Sequence, residues 1–113
     1  MEQKNVQEFI EYQSEKFTKR IIFKKGENAV FLLNFSGDQA LPAHKHPGAD
    51  LYLLVLEGGG TFKIDGKDVP AKKGDTLFVE GEEEFAFVND PKSETSLYVM
   101  LNKVPGEEYA KNI

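Results

Sequence analysis

Hydrophobic and polar residues alternate in short runs along most of this chain, and these runs are too short for ordinary helices. Seven of them predict β-strands, and they are residues 20–23, 29–35, 51–56, 61–64, 76–79, 85–88 and 97–101. Strands that follow one another at intervals of about 8–12 residues are typical of an all-β sandwich or barrel. The pattern therefore predicts an all-β fold and argues against alternating strands and helices.

Turn-forming residues separate the predicted strands. Gly26 and Asn28 tolerate positive φ angles, so the first two strands are predicted to form a hairpin. Asp65 and Gly66 are a strong signal for a two-residue hairpin turn, because a type I′ turn needs a positive φ at both positions. Both turns favour antiparallel pairing between neighbouring strands.

The two ends of the chain have a different character. Val6, Phe9 and Ile10 have the i, i+3, i+4 spacing of a short amphipathic turn of helix. We therefore predict a short N-terminal segment that is helical or irregular. The polar residues 104–108 predict a loosely held tail.

The length and composition favour one globular domain. The chain has 113 residues, and two domains would each be too small to bury a core without staples. Hydrophobic residues make up 40% of the chain and charged residues 29%, which is the balance of an ordinary globular protein. We expect a single domain over residues 1–113, with its core at about 19–102.

Charge and missing residue types exclude several functions. The chain has no cysteine, which excludes a disulfide framework, a thiolate zinc site and a cysteine nucleophile. Its formal net charge of −5 disfavours nucleic acids and anionic membrane surfaces as partners. No apolar run approaches the roughly 20 residues that span a bilayer, and residues 1–13 lack the apolar core of a signal peptide. We expect a cytoplasmic protein.

The two histidines of the chain are the strongest candidates for chemistry. His44 and His46 flank one lysine, and alternate side chains of a strand point to the same face. Their Cα atoms are then about 7 Å apart, and a divalent ion, which binds imidazole nitrogen at about 2.1 Å, could bridge them. By itself the pair is also compatible with two solvated histidines on a strand or loop.

Two longer segments around these histidines resemble the motifs of the cupin superfamily. The segment 37–58, GDQALPAHKHPGADLYLLVLEG, resembles the first motif, in which a glycine, a His-x-His pair, a glutamate and a second glycine follow at fixed spacings. The segment 66–89, GKDVPAKKGDTLFVEGEEEFAFVN, resembles the second motif, which ends in a histidine and an asparagine. The resemblance covers about residues 30–101. It implies an antiparallel jelly-roll β-barrel with its site in the barrel mouth, and a homodimer that forms through edge strands.

The sequence departs from the family at two of the four metal-ligand positions. Cupins bind their metal with three histidines and one glutamate, and His44 and His46 match the first two histidines. Counting along the motifs, Leu51 falls at the glutamate position and Phe85 at the third histidine position. Asp50 and Glu84, which could be ligands, each lie one residue away.

Strand register decides between two alignments, because a shift by one residue turns a side chain to the opposite face. If the register is regular, Leu51 and Phe85 face the barrel interior and leave an incomplete metal site with two histidines. If bulges shift it, the interior receives a set of two histidines and two carboxylates that would suit zinc, iron or manganese. That second set is His44, His46, Asp50 and Glu84.

We therefore interpret the chain as a small cupin that binds a small molecule around the His-x-His pair, with any divalent metal (Fe, Mn, Zn or Ni) weakly bound or absent. The predicted pocket residues are Leu51, Leu53, Phe85, Phe87 and Tyr98. The alternative is a metal-dependent enzyme of the dioxygenase, isomerase or decarboxylase type, in which His44 and His46 plus Asp50 or Glu84 bind an ion that activates oxygen or polarises a carbonyl. The sequence assigns no catalytic residue.

Overall fold

The computed structural model describes residues 1–103 and shows an antiparallel jelly roll built from two sheets. The nine strands in this part of the chain are β1 (Thr18–Lys25), β2 (Asn28–Ser36), β3 (Ala40–His44), β4 (Ala49–Glu57), β5 (Gly59–Ile64), β6 (Lys67–Lys72), β7 (Thr76–Val79), β8 (Phe85–Asn89) and β9 (Glu94–Lys103). The five-stranded sheet has the order β1-β2-β9-β4-β7, and the four-stranded sheet has the order β3-β8-β5-β6. The predicted all-β, antiparallel jelly roll is confirmed.

All seven predicted runs lie within strands, but the hydrophobic pattern did not delimit β3 and β6. Both are edge strands of the four-stranded sheet. Because an edge strand has one unpaired side, it tolerates polar residues and proline, and these two strands contain Pro42 and Pro70. Ala71 is the one buried residue in the two strands, so their sequences show little of the hydrophobic alternation that reveals a strand with a buried face.

The predicted hairpin turn at Asp65 and Gly66 is present between β5 and β6. Asp65 has a φ of 50° and Gly66 a φ of 80°, which are the two positive angles that a type I′ turn requires. Within residues 1–103, Asp65 is the one non-glycine residue with a positive φ.

The N-terminal segment lies across the outer face of the five-stranded sheet. It contains a short 3-10 helix, Val6–Phe9, where a short helical turn was predicted. The hydroxyl groups of Tyr12 and Ser96 are 2.7 Å apart, and the Asn34 amide donates to the Phe9 carbonyl oxygen at 2.9 Å. In the described part of the chain, no helix is both long and apolar enough to cross a membrane. The predicted tail at 104–108 lies outside the described residues.

The inner faces of the two sheets form the hydrophobic core. Phe87 is fully buried at its centre, with its ring centroid 4.9 Å from that of Phe35 and 4.8 Å from that of Phe62. Gly60 lies beside this cluster, and a Cβ atom there would be 2.6 Å from Cζ of Phe87. Glycine at this position therefore permits close packing of the aromatic rings.

The outer face of the five-stranded sheet also carries an apolar row that the N-terminal segment leaves partly uncovered. Paired residues of five successive strands form it, and we call Phe23, Val30, Met100, Tyr52 and Phe78 the outer row. Phe78 is 52% exposed, Met100 45% and Tyr52 44%. An exposed apolar row of this kind is a typical feature of a protein contact surface.

Candidate functional site

A cavity of about 140 Å³ lies between the two sheets, and both histidines line it. Its walls come from β1, β2, β4 and β9 on one side and from β3 and β8 on the other. The lining residues are Phe17, Lys19, Phe31, Leu33, Leu41, His44, His46, Leu51, Phe85 and Val99. A larger depression of about 580 Å³ beside residues 58–60 is open to solvent and has no histidine in its walls, so we place the candidate site in the smaller cavity.

A local irregularity in β3 places His44 in the cavity. The pairing of β3 with β8 shifts between Leu41 and His44, so both side chains point inward although they are three residues apart. Nδ1 of His44 lies 2.7 Å from the carbonyl oxygen of Pro42. Because a carbonyl can only accept, Nδ1 carries the proton and donates, and Nε2 is the ring nitrogen that remains for a ligand.

The loop between β7 and β8 positions His46, which follows the end of β3. The His46 amide donates to the Gly81 carbonyl oxygen at 3.0 Å, and the Gly81 amide donates to Oδ1 of Asp50 at 3.2 Å. A side chain at Gly81 would collide with the main-chain carbonyl groups of His46 and Ala49. Gly81 and Asp50 therefore fix the main chain around His46.

The two imidazole rings meet each other and one phenylalanine in the cavity. The ring centroids of His44 and His46 are 4.5 Å apart, and those of His44 and Phe85 are 4.7 Å apart. Burial lowers the pKa of His46 from its ordinary value, and the charges of His44 and Lys19 lower it further. Nδ1 of His46 is buried and has no hydrogen-bond partner within residues 1–103. The site therefore contains a neutral imidazole with an unused polar atom.

The structure does not bring the two carboxylates into the cavity. Every residue of β4 from Ala49 to Val55 pairs with β9 in regular register, so Leu51 points inward and Asp50 points to the β7–β8 loop. Glu84 is exposed and precedes β8, and its main-chain amide donates to Oδ1 of Asp65 at 2.9 Å. The shifted register that would assemble His44, His46, Asp50 and Glu84 is absent because neither strand has a bulge at the required point.

The donor set therefore does not fit the metal that the cupin motifs imply. Within residues 1–103, no group of three or more histidine, cysteine, aspartate or glutamate side chains is placed to hold an ion. Leu51 and Phe85 occupy the cavity wall where the motif counting placed the other two ligands. Two imidazoles must then leave the remaining coordination positions to water or substrate, which makes a weak site.

Three of the five predicted pocket residues lie elsewhere. Leu53 and Phe87 point inward but belong to the core cluster and do not line the cavity. Tyr98 is on the outer face, where it pairs with Leu32 and Leu54, because its neighbours Leu97 and Val99 point inward. The prediction that Tyr98 lines the pocket is therefore wrong.

Several residues that line the cavity were not predicted from the sequence. Among them is Lys19, the one lysine of the lining. Phe31 and Leu33 are two residues apart on β2, as are Leu97 and Val99 on β9. This period-2 spacing of apolar residues indicated the inner face of both strands. Phe17 and Lys19 had no such signal, because the first strand was predicted to begin only at residue 20.

Comparison with known proteins identifies a family model and one curated relative that match parts of this chain. The profile of the family described as Cupin domain matches residues 20–101. An oxalate-binding protein from Thermotoga maritima is 33% identical over 58 residues, which cover 51% of this chain and 48% of that protein. The chain thus spans about half the length of this curated relative.

Two crystal structures share the fold of this chain at lower identity. A Thermus thermophilus protein has a TM-score of 0.85 at 24% identity, with 93% of this chain and 100% of that one covered. An RmlC-like cupin protein from Desulfovibrio desulfuricans has a TM-score of 0.80 at 23% identity, with 90% and 96% covered. At this identity the two structures show the fold alone.

Proposed function

The chain belongs to the Cupin domain family, and from that premise we propose that it binds a small organic molecule in the cavity between its two sheets. The observation that carries the proposal is the cavity of about 140 Å³, which has apolar walls and two imidazoles. An apolar cavity of about 150 Å³ is large enough to take a benzene molecule. The oxalate-binding relative is a second support for small-molecule binding, although it is matched over only half its length.

The proposed binding does not depend on a metal ion. His44 and His46 form an incomplete metal site, and Leu51 and Phe85 present hydrocarbon where a cupin metal site needs donor atoms. In our proposal the imidazoles give the ligand polar contacts, while the hydrocarbon walls supply burial of about 25 cal/mol per Å² of apolar surface.

Filling the cavity is expected to abolish this binding. Benzoate and benzamide share a ring that suits the cavity, and we expect calorimetry to show saturable binding of at least one of them to the unchanged protein. Val99→Phe adds a ring to the cavity wall and is expected to weaken that binding by at least about tenfold, since a filled pocket cannot accept the probe.

The matched control for this variant is Met100→Phe. Met100 is the next residue on β9 but lies on the outer face, so its enlargement leaves the cavity unchanged. Unaltered affinity in Val99→Phe, or no binding of either probe to the unchanged protein, would contradict the proposal.

We also propose that the chain forms a homodimer, with the outer row as the contact surface rather than the strand edges. A twofold interface places the same patch against itself, so an uncharged centre avoids contact between like charges. The outer row meets this requirement because all five of its residues are uncharged.

A charge in the outer row is expected to separate the protomers. Light scattering on a sizing column should give twice the protomer mass for the unchanged protein and one protomer mass for Tyr52→Glu combined with Phe78→Glu. Val88→Glu is the control, since Val88 is exposed on the other sheet. A monomeric unchanged protein, or a double variant that remains dimeric, would overturn this proposal.

A further inference from the structure

The cavity differs in charge from the rest of the molecule. The chain has 19 acidic and 14 basic residues, yet none of the ten lining residues is an aspartate or a glutamate. The polar groups of the lining are one lysine and two histidines. An acidic protein whose cavity lacks acidic side chains offers a favourable environment for negative charge at that point.

Lys19 provides the positive charge of the lining. It lies on the edge strand β1 opposite Leu33, and strand alternation turns its side chain to the inner face. Its Nζ atom is 4.5 Å from the ring centroid of Phe31, a cation–π contact that holds the ammonium group over a wall of the cavity. Lys19 and His46 line the same cavity, and the positive charge of Lys19 contributes to the lowered pKa of His46.

In the part of the chain that the structure describes, this ammonium group forms no ion pair with a carboxylate. Within residues 1–103, Arg20 and four lysines form ion pairs, and Lys19 is not among them. Lys19 is also exposed enough to meet a ligand that enters from solvent. A ligand anion would therefore gain a partner without displacing an existing one.

From the cavity and this uncompensated cation we infer that the ligand is a small organic monocarboxylate with an apolar body. The carboxylate is placed at Lys19, and the body lies against Leu51, Phe85 and Val99. A second carboxylate would have to be buried with no second lysine or arginine in the lining to balance its charge, which is costly. The inference rests on the proposed small-molecule binding and adds the chemical class of the ligand.

Comparison of an acid with its neutral isostere tests this class. We expect the unchanged protein to bind benzoate about tenfold more tightly than benzamide, since hydrogen bonds to charged groups are stronger than neutral ones. In Lys19→Met, which keeps the length of the side chain but removes its charge, that preference should vanish. In Lys67→Met it should persist, because Lys67 is exposed at the far hairpin of β5 and β6.

Oxalate provides a second comparison, since it carries two carboxylates and no apolar body. We expect it to bind at least about tenfold more weakly than benzoate, because it buries no hydrocarbon and leaves one charge unpaired. Oxalate binding that is tighter than benzoate binding would overturn the monocarboxylate class.

The results of these titrations distinguish a failure of the monocarboxylate inference from a failure of the proposed small-molecule binding. Equal affinity for benzoate and benzamide, or a preference that survives Lys19→Met, overturns the anion inference and leaves small-molecule binding intact. No binding of either probe overturns the proposed function itself, and the inference with it.

Discussion

Replacement of Phe85 by histidine is expected to turn the cavity into a metal-binding site with an affinity for Zn²⁺ or Ni²⁺ about a hundredfold above that of the unchanged protein. The Phe85 ring centroid lies 4.7 Å from that of His44 and 5.8 Å from that of His46, so Phe85→His puts a third imidazole beside two existing ones. Three protein ligands and a water are the usual set of a catalytic zinc site. Structural zinc sites with four ligands are worth about 10–16 kcal/mol, or about 3 kcal/mol for each ligand, and 3 kcal/mol is about a hundredfold in affinity.

Calorimetric titration of purified, metal-free protein with Zn²⁺ and Ni²⁺ measures this gain. Val88→His is the control, because it adds a histidine to the exposed face of the four-stranded sheet, away from both the cavity and the outer row. Addition of His44→Ala and His46→Ala to Phe85→His should remove the gained affinity. An affinity that Phe85→His leaves unchanged would mean that residue 85 does not face the two histidines.

The unchanged protein is informative in the same titration. We expect weak uptake of Fe(II), Mn(II), Zn(II) or Ni(II), as two imidazoles leave most coordination positions unfilled. Elemental analysis that found one tightly held metal per protomer, lost in His44→Ala, would contradict the incomplete site. That result would favour the alternative interpretation of the sequence, which is a metal-dependent enzyme.

Phe87→Ala is expected to reduce the free energy of unfolding by about 3–5 kcal/mol. Phe87 is fully buried between Phe35 and Phe62, and its removal leaves a cavity that a close-packed interior cannot readily fill. Since a domain is typically stable by about 5–15 kcal/mol, this loss would bring the protein near unfolding at room temperature. Urea denaturation followed by circular dichroism measures it.

Val88→Ala is the matched control for that stability measurement. Val88 is the next residue along β8 but points outward and is 39% exposed, so its truncation should cost less than about 1 kcal/mol. Similar losses in the two variants would mean that the inner and outer faces of β8 have been wrongly assigned.

Much of the fold could be predicted from the sequence because its strands lie in sheets with one buried face. In β4, alternation gives Leu51, Leu53 and Val55 one face, and all three are buried. The strands β3 and β6 escaped prediction, because Ala71 is the one buried residue in the two and neither contains a row of large buried side chains. The sequence therefore predicted strands poorly where few side chains are buried, because such strands need few apolar residues.

The candidate site was only partly predictable, for two physical reasons. The choice between Leu51 and Asp50 depended on a bulge, and regular pairing of β4 with β9 settles it in favour of Leu51. Lys19 belongs to the cavity only through tertiary packing, because β1 and β3 lie in different sheets and far apart in sequence. No local pattern around Lys19 could indicate that contact.

Tyr98 shows a different kind of error. It was predicted to line the pocket, although strand alternation turns its side chain to the face of β9 away from that of Leu97 and Val99. For Tyr98, the alternation of side chains along the strand was a better guide to its position than the chemistry of its side chain.

Ligand binding in the cavity can be observed most directly through the two histidines. The chain has two histidines and both line the cavity, so its imidazole NMR signals report on this site and on no other. We predict that titration with benzoate shifts the ring signals of His44 and His46 along one saturable curve, with one equivalent bound per protomer. Ring signals that stay unmoved to the solubility limit of benzoate, in protein that remains folded, would contradict ligand binding in this cavity.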